Sequence, residues 1–364
     1  MITISLCMIV RDEEDVLDRC LTSVRGIADE IIVVDTGSKD GTKAIAIAHG
    51  ARVYDFEWID DFAAARNAAF DKAAMEYILW LDADDIVDEE NRRAFIALKE
   101  TLDPAVDMVM MRYHVAFDEE GNPTYTFFRE RLMRRAKQYR WDGRVHEAIA
   151  PSGNMIRSQI AVQHKKVKHG DPNRNLRIYE RIIAEGETMQ PRHRYYYARE
   201  LFALGRDDES ITLLRQCVDD PNTWVENRIG ACQDLAGCLT RKGDLDGALL
   251  ALLQSFAFGE PRAEICCDIG KIFLDRGRYR EAIFWYDCAP RCAPSEEGGG
   301  FAQPECRGYI PYMQLCLCYG NLKEYELSEM YNEKAAALKE GDASVQFNRE
   351  YFRARRARQA AARR

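Results

Sequence analysis

The sequence predicts an α/β domain built on a parallel sheet, followed by an all-α domain of repeated helix pairs. The α/β prediction rests on residues 1–85, where apolar runs of strand length alternate with stretches that have apolar residues at helical spacing. The all-α prediction rests on the residues after Asn173, where the pattern is helical throughout and a short turn recurs. A chain of 364 residues is long enough for both domains.

The composition is that of an ordinary soluble globular protein, with 47% hydrophobic and 30% charged residues. No apolar run is long enough to span a membrane, and the residues after Met1 enter a strand pattern at once, so we expect a cytoplasmic location. The net charge of −9 argues against nucleic acid as a partner. Most of the 12 cysteines lie in predicted helices between Cys217 and Cys318, and we expect them to be reduced and largely buried.

Strands and helices alternate along the first part of the chain. The strands are short apolar runs, whereas the first helix has Val16, Cys20 and Val24 at helical spacing. Strands joined through helices form a parallel sheet that is covered on both faces. The predicted strands are residues 2–10, 30–35, 52–56, 77–81, 108–117, 127–134 and 160–164, and the predicted helices are residues 13–24, 42–49 and 62–75. A turn is predicted at residues 119–123, between two of these strands, and an exposed glycine-rich loop at residues 290–304.

Acidic residues follow the fourth predicted strand. Asp82 and Asp84 come after the apolar run, and alternation along a strand would send both side chains to the same side. Two converging carboxylates form a site for a hard divalent cation such as Mg²⁺ or Mn²⁺. Acidic residues after a strand are also common turn formers and helix caps, which leaves a purely structural role open.

Asp35 ends the second predicted strand, and the loop after it has two glycines but no GxGxxG pattern, which disfavours a dinucleotide-binding domain. Ligands of parallel α/β sheets bind beyond the carboxyl ends of the strands, so Asp35 and Asp82 are expected to face one crevice. A carboxylate there can accept a hydrogen bond from a nucleobase or a ribose hydroxyl. The alternative is a turn in which Asp40 caps the next helix.

Four blocks of the sequence, residues 5–14, 30–42, 58–67 and 79–85, resemble the successive motifs of family 2 glycosyltransferases. Most similar is the bacterial branch in which the catalytic domain is followed by tetratricopeptide repeats, a branch that includes peptide S-glycosyltransferases of the glycocin type. The resemblance covers about residues 3–175. It implies a GT-A fold, a Rossmann-like nucleotide-sugar-binding domain over residues 1–172, with tetratricopeptide-like helical repeats over 173–348 and a basic tail over 349–364.

The resemblance also implies an activity and its partners. It points to a metal-dependent inverting transfer of a sugar from a nucleotide donor to a peptide or protein side chain, with Mn²⁺ or Mg²⁺ as cofactor. UDP is the expected nucleotide, because the Asp35 carboxylate can accept the N3–H of uracil, a donor that cytosine lacks. Transfer to a glycan or lipid, and a repeat-built binding protein without catalysis, are the alternatives.

Site residues follow from the matched motifs. Asp82 and Asp84 are the metal candidates, and Arg66 is suited to phosphate oxygens, with a surface salt bridge as its alternative role. The candidates for nucleotide-sugar binding are Val10, Arg11, Glu13, Asp35, Arg66, Asp82 and Ala83.

Residues 139–147 resemble the WxGxVHE motif of the same branch. We expect Trp141 to be exposed and to stack on the sugar or acceptor. Inverting transfer needs a base for the acceptor proton, and Glu147 or His146 is the candidate, with Asp142 and Asp85 behind them. A His–Glu pair that only braces the acceptor loop is the alternative.

A histidine completes the metal site in this resemblance, but the local sequence departs from the usual His-Tyr-Gly-Tyr stretch. Either His164 or His169 is therefore meant, with His164 as the first choice. Lys165, Lys166 and Lys168 are expected to guide a diphosphate electrostatically or to be solvated surface lysines.

The helical part repeats around Gly205, Gly243, Gly277 and Lys323, at spacings close to the tetratricopeptide period. Such repeats bind extended peptides, or serve stability or formation of a homodimer. The arginine-rich residues 349–364 predict a basic helix for an anionic membrane or acidic partner, or a frayed solvated segment.

Overall fold

The computed structural model of the chain describes residues 1–119, 121–167, 171–294, 300 and 302–362. The predicted turn at residues 119–123 and the predicted glycine-rich loop at 290–304 therefore lie partly outside the described residues, as His169 and Lys168 do entirely. The chain forms two compact units, Met1–His193 and Arg194–Arg364. The domain boundary between residues 172 and 173 stays a prediction.

The first unit contains an eight-stranded sheet and five helices among its described residues. The strands are β1 (Ile4–Val10), β2 (Glu30–Asp35), β3 (Arg52–Asp55), β4 (Tyr77–Trp80), β5 (Asp85–Ile86), β6 (Met108–Phe117), β7 (Pro123–Arg134) and β10 (Met155–His164), with β8 (Trp141–Asp142) and β9 (Ala148–Ile149) as a separate pair. The helices are α1 (Leu17–Ser23), α2 (Thr42–Ala48), α3 (Phe62–Phe70), α4 (Glu89–Thr101) and α5 (Arg174–Ala184).

The sheet has the strand order β3-β2-β1-β4-β7-β6-β10-β5. Pairing is parallel from β3 to β4, as predicted. Beyond β4 the two strands predicted on either side of a turn, β6 and β7, form an antiparallel hairpin, and β7 also runs antiparallel to β4. The sheet is therefore mixed, and the carboxyl ends of β1, β2 and β4 share one edge.

Both faces of the sheet are covered, as the strand β1 illustrates. Leu6 and Met8 belong to one core cluster, which includes Leu17 of α1, whereas Cys7 belongs to a second cluster with Phe70 of α3. Side chains alternate between the faces of a strand, so an uninterrupted apolar run is what a strand buried on both sides requires. The predicted α/β class follows from this double burial.

From α6 onward the chain is helical and the helices come in pairs. They are α6 (Pro191–Ala203), α7 (Asp207–Asp219), α8 (Val225–Arg241), α9 (Leu245–Gln254), α10 (Ala263–Asp275), α11 (Tyr279–Cys288), α12 (Tyr309–Asn321), α13 (Tyr325–Ala336) and α14 (Ala343–Ala362). This all-α arrangement after an α/β unit confirms the predicted fold class.

The turn that recurs between the two helices of each pair depends on one residue in the left-handed backbone conformation. Gly205, Gly243 and Gly277 have φ values of 72°, 81° and 68°, and Lys323 adopts the same left-handed conformation with φ of 63°. Each ends the first helix of a pair, a position where glycine loses no stability to a Cβ clash. The left-handed Lys323 confirms that it takes the glycine's place in the fourth pair.

All 12 cysteines are free thiols, and ten of them are buried. Burial raises the pKa of several, such as Cys217 to about 12, so these thiols remain protonated at neutral pH. The prediction of reduced, largely buried cysteines is confirmed. Among the described helices, none is both long enough and apolar enough to cross a membrane.

Candidate functional site

A cleft of about 480 Å³ opens at the carboxyl ends of the central strands in the first unit. It brings together residues that the sequence placed in four separate motifs: Val10, Arg11, Glu13, Arg66, Asp82, Ala83, His146 and Glu147. The remaining candidates, Asp35, Asp84, His164 and Trp141, do not line this cleft. Arg129 and Arg174 also line it, and neither was assigned a role from the sequence, although Arg174 stands in an Arg174–Asn175 pair that the resemblance includes.

Arg66 links two of these motifs. It lies on α3, whose first turn is capped by Asp61 accepting from the Ala64 N–H at 2.8 Å. Its Nε donates to Glu147 Oε1 at 2.6 Å and its Nη2 donates to Asp82 Oδ1 at 2.7 Å. One guanidinium therefore holds carboxylates from two distant parts of the chain, as its planar fork of donors allows.

Arg66 is also enclosed by aromatic rings. Its guanidinium carbon lies 5.0 Å from the ring centre of Trp80 and 4.8 Å from that of Trp141, and the residue is only 8% exposed. Burial lowers the pKa of Arg66, but Asp82 and Glu147 raise it further, and the net shift is upward. Arg66 is thus a buried, charged bridge, and a surface salt bridge is excluded.

The same bridge affects Asp82. Burial raises its pKa, whereas Arg66 and, less strongly, Arg131 lower it, and the carboxyl is held below its ordinary value. Asp82 is therefore ionised at neutral pH at the wall of the cleft.

His146 and Glu147 lie on the loop between β8 and β9. The loop is tied to the start of α3 by a hydrogen bond from the Phe62 N–H to the Arg144 carbonyl at 2.8 Å. His146 has φ of 52°, an uncommon conformation for a residue with a side chain, and its ring stacks on Tyr179 with centroids 6.1 Å apart. Glu147 instead faces Arg66, so the two neighbours have different surroundings within one cleft.

A second cluster consists of Asp84, Asp85 and His164, each of which can offer one ligand atom within 4.8 Å of the others. His164 Nδ1 lies 3.2 Å from Asp84 Oδ1 and 3.5 Å from Asp85 Oδ1. The antiparallel pairing of β10 with β5 places His164 opposite Asp85 and so builds the cluster.

Asp82 is not part of this cluster, and the expectation that strand alternation would align it with Asp84 is wrong. The strand β4 ends at Trp80, and the chain then turns, with the Asp85 N–H donating to the Asp82 carbonyl at 3.1 Å. Asp82 therefore faces Arg66 while Asp84 faces His164. Whether Asp82 also contacts a metal with donor bound stays a prediction.

Asp85, which the sequence did not assign to the metal site, is buried and held from three sides. Tyr113 donates its hydroxyl to Oδ1 at 2.8 Å, Arg131 Nη1 donates to Oδ2 at 3.0 Å, and the Asp82 N–H donates to Oδ2 at 3.0 Å. Arg131 is fully buried, with its guanidinium carbon 3.8 Å from the ring centre of Trp80. In the sequence, Arg131 is one of three arginines in the predicted strand 127–134, and no local pattern marks it as the buried partner of Asp85.

The cluster fits a divalent cation by the chemistry of its donors. Carboxylates suit Mg²⁺ and Mn²⁺, and an imidazole ligand is common for transition metals. His164 Nδ1 is buried and makes no well-directed hydrogen bond to any described residue, which leaves it available as a ligand. Burial lowers the pKa of His164, but Asp84 and Asp85 raise it, to about 10, so a cation would compete with a proton there.

Asp35 is 1% exposed and lies behind the cleft wall. Its Oδ1 accepts from the N–H groups of Gly37 and Ser38 at 3.0 and 2.9 Å, while Oδ2 is buried without a hydrogen-bond partner among the described residues. Asp35 therefore shapes its loop with one oxygen and keeps the other as an unused acceptor. Its neighbour Thr36 reaches the cleft.

The expectation of an exposed Trp141 is wrong. The residue is 3% exposed, and its ring packs edge to face against Trp80 and Phe70, with centroids 4.8 and 6.0 Å apart. Its backbone is fixed by Asn67, whose side chain bonds both its N–H and its carbonyl at 3.0 Å. Trp141 thus belongs to the wall around Arg66, and a ring enclosed in this way has no face for a sugar.

The lysines after β10 are only partly described. Lys165 Nζ lies 3.2 Å from the ring centre of Phe117, and its N–H donates to the Asp84 carbonyl at 3.0 Å. The Lys165 side chain therefore packs on an aromatic ring and helps to close the turn beside the metal cluster.

Known proteins share sequence similarity with the first unit of the chain and with part of the helical region. A model of the family described as "Glycosyl transferase family 2" matches residues 5–162. A TPR repeat-containing protein of Synechococcus elongatus is 33% identical over 298 residues, which cover 79% of this chain and 66% of that protein. The prophage-derived glycosyltransferase SunS of Bacillus subtilis is 27% identical over 240 residues, 62% of this chain and 56% of that protein.

The chain thus spans between about half and two thirds of the length of these relatives. Among solved structures, residues 1–349 of TarS from S. aureus, in complex with UDP-GlcNAc, match 69% of this chain and 90% of that one. The match has 14% sequence identity and a TM-score of 0.38. A score of this size is too low for a residue-by-residue comparison.

Proposed function

Residues 5–162 belong to glycosyl transferase family 2, and from this premise we propose that the chain is a metal-dependent inverting glycosyltransferase. It moves a sugar from a UDP donor to a side chain of a peptide or protein. The observation that carries the proposal is the bridge from Asp82 through Arg66 to Glu147, because it fixes a donor-side carboxylate and a candidate base on opposite sides of one buried cation.

The donor side of the cleft has groups suited to a nucleoside diphosphate. Behind the wall of the cleft, next to Thr36, the unused Oδ2 of Asp35 is a buried acceptor for the uracil N3–H, and burial makes an unmatched acceptor there costly. Arg11 and Arg129 line the cleft as cations for phosphate oxygens. A nucleotide with an N–H donor at the base edge and two phosphates satisfies both features.

Asp84, Asp85 and His164 would hold the divalent cation. Bound there, the cation supplies charge neutralisation for the diphosphate that leaves. Arg131 and Tyr113 position Asp85 for this role through the hydrogen bonds that they donate to it.

Glu147 is the residue best placed to accept the proton of the acceptor. Arg66 occupies its Oε1, and no described residue donates to its Oε2. The acceptor nucleophile attacks the anomeric carbon from the face opposite to the diphosphate, its proton passes to Glu147, and the bond to the diphosphate breaks with inversion. His146, held against Tyr179, contributes to the shape of the acceptor side.

A polypeptide acceptor is favoured by the second unit. Stacked helix pairs offer an extended surface that can bind residues remote from the modified side chain. Both relatives match this chain over lengths greater than the family 2 segment, so the similarity includes part of the helical region. A small-molecule acceptor would leave this surface without a role in substrate binding.

The proposal is tested with the full chain, a panel of nucleotide sugars and either Mn²⁺, Mg²⁺ or EDTA. We expect UDP with Mn²⁺ to raise the melting temperature, because a ligand that binds the native state stabilises it, and we expect UDP release from a UDP-sugar. A larger shift with GDP or CMP would contradict the choice of donor. Transfer to glycan or lipid acceptors but to no peptide would contradict the acceptor, and the absence of both nucleotide binding and hydrolysis would favour a non-catalytic binding protein.

A further inference from the structure

The helix α14, at the end of the second unit, presents a face that neither the fold nor the proposed function explains. The helix is 20 residues long, about 30 Å. Its orientation is fixed on one side by the buried residues Val345 and Phe352 and by a hydrogen bond from Asn348 Nδ2 to Asn332 Oδ1 at 2.9 Å. The opposite side is consequently presented to solvent.

That outer side has two large aromatic residues. Phe347 is 69% exposed and Tyr351 is 48% exposed, and they are four positions apart, so they are neighbours on one face of the helix. The following positions on this face are Ala354, Arg355, Arg358 and Ala361, two small residues and two arginines. Folding alone gives no reason to expose two aromatic rings side by side.

Cations flank the aromatic pair in a chain whose net charge is −9. Between Arg349 and Ala362 there are five arginines and one acidic residue, Glu350. Arg349 pairs with Glu333 at 2.6 Å and Arg356 pairs with Glu329. The other three are Arg353, Arg355 and Arg358.

Two of these remaining cations have no carboxylate partner in the described part of the chain. Arg355 stacks on the ring of Tyr325, with its guanidinium carbon 3.5 Å from the ring centre. Neither Arg355, which is half-buried, nor Arg358, which is exposed, makes an ion pair with any described residue, and they follow Tyr351 by four and seven positions on the aromatic face. Arg353 follows Tyr351 by two positions, so it lies on another side of the helix. There Arg349 and, less strongly, Arg353 lower the pKa of Glu333. Positive charge is therefore available next to apolar surface.

We propose that the outer face of α14, formed by Phe347, Tyr351, Arg355 and Arg358, binds an anionic lipid surface. Aromatic residues on one side of a helix, with arginines beside them and small residues between, suit the boundary between headgroups and acyl chains. Anionic headgroups attract the arginines, and the acidic remainder of the chain restricts this attraction to the helix.

A second copy of the chain is the less suitable occupant. A symmetric dimer through this face would place the same patch against itself and bring the arginines of one helix close to those of the other. Such like charges repel each other, whereas anionic lipid neutralises them. The charge of the face thus favours lipid over self-association.

Flotation of the full chain with vesicles tests the proposal. Vesicles of phosphatidylcholine alone are compared with vesicles that contain about one third phosphatidylglycerol, at low and high salt. We expect flotation with the anionic vesicles at low salt, and a loss of about tenfold or more in binding for Phe347→Ser with Tyr351→Ser and for Arg355→Gln with Arg358→Gln.

The matched control removes two exposed arginines from other helices of the same unit, Arg215 on α7 and Arg280 on α11, by Arg215→Gln with Arg280→Gln. We expect this variant to float like the wild type, with all melting temperatures unchanged. No flotation of the wild type at low salt, or equal losses in the control and the α14 variants, would overturn the proposal. A change from dimer to monomer in the Phe347/Tyr351 variant would assign the face to a second copy instead.

Discussion

Arg66 Nε lies 2.6 Å from Glu147 Oε1, and Nη2 of the same guanidinium lies 2.7 Å from Asp82 Oδ1. The two carboxylates belong to separate motifs, and the rings of Trp80 and Trp141 close around the cation that joins them. A change at Arg66 therefore affects the donor side and the acceptor side of the cleft together.

Replacement of Arg66 by lysine is expected to lower kcat/KM for transfer by about 100-fold, because a single ammonium cannot hold both carboxylates in the geometry of the guanidinium fork. Steady-state transfer assays and circular dichroism measure activity and folding. Arg92→Lys is the control, since Arg92 forms a surface ion pair with Glu89 away from the cleft. A folded Arg66→Lys enzyme with the wild-type transfer rate would contradict the bridging role.

The Glu147→Gln variant is expected to lose transfer by about 10²- to 10⁴-fold while it retains nucleotide binding, because an amide keeps the shape of the side chain but cannot accept the acceptor's proton. Transfer kinetics and calorimetry with UDP separate the two properties. The companion variant is His146→Asn, since asparagine tolerates the positive φ of this position. If His146→Asn abolishes transfer and Glu147→Gln does not, the base is His146.

Asp84→Asn is expected to weaken Mn²⁺ binding at least tenfold, because removal of its charge leaves only two ligands in the cluster. The melting temperature of the metal-free protein is expected to stay near that of the wild type, because Asp84 is part-exposed. Free Mn²⁺ is measured by electron paramagnetic resonance, which does not depend on activity. Asp71→Asn removes an exposed carboxylate outside the cluster and serves as control. Unaltered Mn²⁺ binding in Asp84→Asn, or full transfer in excess EDTA, would contradict the metal site.

Asp85→Asn is expected to lower the free energy of unfolding by about 3–5 kcal/mol, because it leaves the fully buried Arg131 without its counter-charge. Urea unfolding measures the change. Asp142→Asn, at an exposed carboxylate, is expected to stay within about 0.5 kcal/mol of the wild type. A loss at Asp85 no larger than that at Asp142 would show that the pair is not a structural support of the metal cluster.

The sequence predicted the parts of the fold that depend on local pattern. The apolar runs of β1, β2 and β4 located the central strands, and the left-handed turn at Lys323 was found because its neighbours repeat the spacing around Gly277. The two runs around the turn at residues 119–123 located the β6–β7 hairpin. The order of the strands beyond β4 was not predictable in this way, because β7 pairs with β4 and β6 with β10, and pairing with distant strands is not encoded in a local pattern.

The sequence predicted which residues belong to the site better than it predicted which residues contact each other. Arg66 was expected to contact the donor, but its partner Glu147 is 81 positions away, and no local pattern encodes that pairing. Asp85 was missed for the same reason, since Arg131 is 46 positions away. Trp141 was expected to be exposed because it belongs to the WxGxVHE-like motif and a tryptophan ring can stack on a sugar, yet its packing on Trp80 depends on the tertiary fold.

Proton magnetic resonance of the sugar released from an α-linked UDP-sugar tests the central claim most directly, because water can replace the acceptor and no acceptor needs to be known. With Mn²⁺ present, the account predicts that the first anomer to appear is β, since water attacks from the face opposite to the diphosphate. The same sample with Asp84→Asn should release no sugar above background. Release of the α anomer first, or release at equal rates with and without a functional Asp84, would contradict a metal-dependent inverting transferase.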